Sequence, residues 1–158
     1  MKEYQRNTRE CKFTDFSPET IQSFRKYFEK NELGDVESEI VMCGETDSTR
    51  LNRGFFARLF GPGNFGQKTS VFFTPQRLFW CSTDQKNQRA VLSAKFKDIE
   101  VKEFASNLVQ DTGLEVFGFI NQSSKKVQAF IGLGEEPFAR EFKKKLDEAI
   151  ESAVKPAV

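Results

Sequence analysis

Hydrophobic spacing divides the chain into a helical opening, a long strand-like middle and a helical close. Residues 1–16 are polar and mixed in charge, with Phe13 and Phe16 as anchors. Ser17-Pro18 offers an N-cap and then a first helical residue that needs no amide hydrogen. Ile21, Phe24 and Phe28 follow at helical spacing, and Gly34 sits where a helix ends, which predicts a helix over 18–32. From Glu37 the spacing shortens. Ile40 to Cys43 is an apolar run stopped by Gly44 and the polar Thr46-Asp47-Ser48-Thr49. Ser70–Phe73 and Leu78–Cys81 are two apolar strands around Thr74-Pro75-Gln76-Arg77, a turn with proline in its favoured second place. Ala90, Leu92, Ala94 and Phe96, then Ile99 and Val101, alternate with polar residues as half-buried strands do. Leu114 to Ile120, and Val127 with Ala129, Ile131 and Leu133, give two more. Phe138, Phe142, Leu146 and Ile150 return to a period near 3.6, predicting a helix over 136–154 with one apolar face, stopped by Pro156.

Several short strands joined by regular turns argue for an antiparallel barrel or sandwich. About seven strands and then one amphipathic helix is also the order of the pleckstrin-homology superfold. Ser70 to Trp80 (SVFFTPQRLFW) resembles the strand–turn–strand signature of GRAM and bacterial pleckstrin-homology-like domains. Lys97-Asp98-Ile99-Glu100-Val101 resembles their next recurring corner. The resemblance covers roughly residues 37–154. It implies a mainly β fold: a seven-stranded antiparallel barrel capped by the C-terminal helix, with the N-terminal helix as an addition. The expected organisation is an extension over 1–36, the domain over 37–154 and a tail over 155–158. The only tryptophan, Trp80, stands on a strand rather than in the closing helix, which favours the GRAM or bacterial branch.

Composition removes several chemistries. The chain has 158 residues, a net charge of +1 and no histidine, so Ser-His-Asp and Cys-His catalysis and the usual zinc sites have no basis. Cys11, Cys43 and Cys81 are odd in number and widely spaced, which reads as three reduced thiols. No apolar run approaches the roughly 18 residues a membrane span needs, and Met1 to Arg6 has no apolar signal core. The expected location is the cytoplasm, or its face of a membrane. Gly61 to Gly66 formally fits GxGxxG, but it precedes a strand rather than opening a helix, so it reads as a turn. Carboxylates mostly alternate with lysines on wet faces and suggest no acid–base pair. No enzyme activity and no cofactor are expected.

The most pointed feature is the stretch 47–68. Arg50, Arg53, Arg58 and Lys68 stand against one acid, Asp47, for a net +3. Leu51, Phe55, Phe56, Leu59, Phe60 and Phe65 are interleaved. By the resemblance, this is the loop where lipid-binding members hold anionic headgroups. The chain lacks their close basic-x-Arg pair, so phosphoinositide specificity is not supported. The candidate contact residues are Arg50, Arg53, Phe55, Phe56, Arg58, Phe60 and Lys68. The expected role is a binding or adaptor module that touches a protein partner or an anionic membrane surface. The alternatives are a homo-oligomeric or protein–protein scaffold without lipid binding and, further off, a small enzyme or nucleic-acid binder; the basic patch is one loop rather than a stripe, so nucleic acid is not expected. Ile21, Phe24 and Phe28 fit packing on the barrel or on a second copy as a homodimer.

Overall fold

The computed structural model describes residues 4–50, 66–84, 86–104 and 111–155. Five strands, β1 (Tyr4–Glu10), β2 (Met42–Arg50), β3 (Gly66–Phe73), β4 (Arg77–Thr83) and β5 (Arg89–Lys95), form one antiparallel sheet in sequence order. Three more, β6 (Ile99–Glu103), β7 (Gly113–Gly118) and β8 (Val127–Gly132), form a second. Helix α1 (Pro18–Lys30) follows β1, and α2 (Pro137–Val154) closes the described chain.

The first sheet is covered on both faces. Val71, Phe73, Leu78, Trp80 and Ala94 turn inward to Val116, Ile131, Phe142 and Leu146, a core shared with the second sheet and α2. Phe72, Phe79 and Cys81 face the other way, into a second core with Phe13, Phe16, Phe24 and Phe28. Double coverage explains why 71–73 and 78–81 read as continuous apolar runs rather than alternating ones. Phe72 stacks on Phe79 at 4.9 Å between centroids and meets Phe24 edge-on at 5.0 Å. The face of α1 that could have served a homodimer is therefore occupied by its own sheet, with Phe24 and Phe28 buried.

The structure departs from the sequence pattern at four points. The two sheets are not closed into a seven-stranded barrel: eight strands are described, and no ladder joins β1 to β8. The polar stretch 4–10 is a strand, paired with β2 from Tyr4↔Arg50 to Glu10↔Gly44. Residues 46–49 do not stop β2, which continues to Arg50 between β1 and β3. Its inward side there is hydroxyl-bearing: Thr46 and Ser48 are buried, and the Thr46 and Thr8 hydroxyls lie 2.7 Å apart. Finally, α1 stops at Lys30 through Glu32 rather than Gly34. Glu32 takes a left-handed φ of 54°, its N–H donates to Glu29 O, and the Leu33 N–H donates to Phe28 O at 2.9 Å.

Side chains close the gap that the backbone leaves between the sheets. Arg6 of β1 forms a bidentate pair with Asp111, at 2.7 and 2.9 Å, and donates to Ser48 Oγ at 2.6 Å. Its guanidinium also lies over the Phe130 ring, 5.3 Å from the centroid. Thr8 N–H donates to Glu136, and Gly134 N–H donates to Thr8 Oγ1. Helix α2 covers the inter-sheet core with Ala139, Phe142 and Leu146 fully buried, and Phe138 and Ile150 packed at its margin.

Candidate functional site

Arg53, Phe55, Phe56, Arg58 and Phe60 lie outside the described residues. The structure places the two ends of their segment. Arg50 is the last residue of β2, and Lys68 lies in β3 directly opposite Asp47. Thr49 pairs with Gly66, so the segment connects neighbouring strands at one end of the five-stranded sheet.

Lys68 is no isolated cation. Its Nζ is 3.7 Å from Asp47 Oδ1 and 3.9 Å from Glu45 Oε1. Arg9 Nη1 donates to Asp47 Oδ2 at 2.7 Å, and Arg9 Nη2 donates to Glu45. The hydrogen bond to Asp47, with the Glu45 charge behind it, raises the Arg9 pKa against the opposing cost of burial. Glu45 is 3% exposed and also accepts from the Ser70 hydroxyl. In the sequence these four charges are only scattered positions, 9, 45, 47 and 68. Only the β1–β2–β3 register brings Arg9 opposite Glu45 and Lys68 opposite Asp47. No sequence signal announced Arg9, because β1 itself carries no apolar alternation.

Beside this ladder lies a polar cavity of 390 Å³. Asp47, Thr49, Gln67 and Lys68 form one wall, and Thr20 and Arg89 another. Ser17 caps α1 here, its Oγ accepting from the Thr20 N–H and donating to Thr20 Oγ1. Arg89 Nε donates to the same Thr20 hydroxyl at 3.1 Å, and its other nitrogens reach Asn87. Hydroxyls and paired charges of both signs suit this cavity to hydrogen-bonding a polar group rather than to burying an apolar one.

Cys11 and Cys43 sit toward the far end of the same face, and Cys81 lies in the row of Glu45 and Ser70. Cys11 follows β1, and its N–H donates to Cys43 O at 3.2 Å, with the two sulfurs 3.7 Å apart. All three cysteines are free. The contact with Cys11, and then burial, push the Cys43 thiol pKa well up. Burial pushes Cys81 to about 11. Among the described residues no group of three or more Cys, Asp or Glu side chains is placed to hold a metal ion, and no helix is long and apolar enough to cross a membrane.

One exposed apolar group was not singled out in the sequence. Phe117, Phe119 and Phe130 stand outward on the second sheet or just past its strand end, with Lys126 Nζ about 6 Å from the Phe117 and Phe119 rings. Comparison with family models, with curated proteins and with solved structures finds no match to this chain.

Proposed function

We propose that the protein is a non-catalytic binding module of the pleckstrin-homology or GRAM kind, which contacts an anionic surface through the basic, Phe-rich segment 50–68. The single observation carrying this reading is the composition of that segment taken with the pairing of its ends. Residues 50–65 carry net +3 and six large apolar side chains; the residues flanking them, Thr49 and Gly66, pair with each other, and Thr49, Gln67 and Lys68 line a polar cavity. The fold part of the proposal is supported by the order of elements: antiparallel strands in two sheets, then a helix covering the core between them.

Magnitudes favour a joint mechanism. A cation close to an anionic membrane contributes about 1 kcal/mol. Lys68 is partly spent on Asp47 and Glu45. Arg50, Arg53 and Arg58 then supply roughly 3 kcal/mol, too little by itself. One or two inserted Phe side chains at about 2 kcal/mol each bring the contact into a measurable range.

Co-sedimentation with vesicles tests it. Binding is expected to need acidic lipid, to weaken steeply with salt and to fall on changing Arg53 and Arg58 to Glu. Salt-insensitive capture of a protein partner would instead favour the scaffold alternative. Absence of acid-dependent binding, with no effect of the double substitution, would end the lipid reading.

A further inference from the structure

At the opposite end of the five-stranded sheet, the β3–β4 turn, the corner after β5 and the last turn of α2 enclose a cleft of 480 Å³. Arg77, Lys95 and Lys97 line it, together with Pro75, Gln76, Ser152 and Ala153. None of the described lining residues is acidic. Arg77 and Lys95 are direct cross-strand partners in the β4–β5 ladder. Like charges in that position destabilise a sheet. None of the three side chains makes an ion pair or hydrogen bond with another described residue, whereas Arg9, Arg25, Lys68 and Lys143 each have a carboxylate partner. Asp98 lines an adjoining cavity of 230 Å³ together with Arg77 and Lys95. On α2, Glu148 pairs with Lys145 and Glu151 with Lys155.

Three converging cations at the open end of a sheet, two of them forced together by register, call for an anion of more than one charge. We propose that this cleft binds a phosphorylated small molecule, with the phosphate oxygens held by Arg77, Lys95 and Lys97. The Arg77 guanidinium can take two oxygens side by side, while each ammonium acts as a point charge. Pro75 and Ala153 give the remainder of the ligand an apolar wall. The volume falls within the range of small-molecule sites. The competing role for the cations is purely structural: α2 has no basic residue in its own last turn, and its negative dipole end attracts positive charge.

The two roles predict opposite stabilities. Inorganic pyrophosphate is titrated into the full chain by calorimetry, alongside Arg77→Gln, Lys95→Gln, Lys97→Gln and the distant control Lys30→Gln. Saturable binding is expected, weakened about tenfold by each cleft substitution, the scale of one charge-assisted hydrogen bond, and unchanged in the control. Without ligand, Arg77→Gln and Lys95→Gln should melt at or above the parent temperature, since each removes a like-charge pair. Vesicles containing phosphatidic acid separate the sources of phosphate. Sedimentation that pyrophosphate competes and Arg77→Gln abolishes identifies a lipid headgroup; pyrophosphate binding without sedimentation identifies a free phosphorylated compound. Changing Arg53 and Arg58 to Glu should leave pyrophosphate binding intact, so the failure of either proposal is read separately. No binding at millimolar pyrophosphate, equal binding by all variants, or a lower melting temperature of the unliganded cleft variants would overturn the site.

Discussion

Asp111→Ala probes what holds the two sheets together. Its carboxylate takes both arms of the Arg6 guanidinium, and the two side chains are only 5% and 8% exposed. It also accepts the Thr112 N–H at 2.7 Å. Asp111→Ala takes a charged, bidentate partner from a buried Arg6 that keeps its hydrogen bond to Ser48, and losing one member of such a pair costs up to about 3–5 kcal/mol. Coulomb's law at an effective dielectric near 20 and a charge separation near 4 Å gives roughly 4 kcal/mol, in the same range. In a domain of this size that corresponds to a melting point lower by about 6–20 °C. Urea unfolding followed by tryptophan fluorescence is the assay, since Trp80 lies in the core between the sheets. Hydrogen exchange at the Thr8 and Gly134 amides reports the seam itself, because both donate across it; they should exchange faster than amides in the centre of β3. A loss below about 1 kcal/mol in Asp111→Ala, the value of an exposed pair, would refute the reasoning.

Two other outcomes follow from the packing. Phe142→Asp places a carboxylate where Phe142 meets Phe73 at 5.2 Å in a fully buried site; the chain should lose cooperative unfolding, and a variant with a normal melting curve would show that α2 does not cover this core. Alkylation by iodoacetamide near pH 8, mapped by mass spectrometry, should mark half-buried Cys11 well before Cys43 and Cys81. Both of the latter are buried with raised pKa values, so their labelling should accelerate only as the pH approaches or passes about 11 for Cys81, because the thiolate is the nucleophile.

Much of the architecture was legible because apolar spacing and turn chemistry are local. Ser17-Pro18 starts α1, Thr74-Pro75 turns β3 into β4, and the Phe138–Phe142–Leu146 stripe gives α2 its covered face. The 50–68 segment was legible as a basic, aromatic stretch, again from local composition. What escaped was polar. Strand β1 shows no alternation, because the residues it sends inward are Arg6 and Thr8, satisfied by Asp111, Ser48 and Thr46 from distant parts of the chain. For the same reason Thr46 to Thr49 looked like a loop. Their hydroxyls and charges find partners only once β1 and β3 flank them.

The amino-acid order alone therefore determined a mainly β protein with a helix at each side and no histidine chemistry, since periodicity and composition need no partner to be read. The tertiary structure decided three things. It split the strands into sheets of five and three joined by the Arg6–Asp111 seam, and it turned α1 onto its own sheet. It also gathered Arg77, Lys95 and Lys97 into one cleft. Each depends on register and on which charges meet across strands, and a pairing between residues as far apart as 6 and 111 leaves no mark on the spacing around either one.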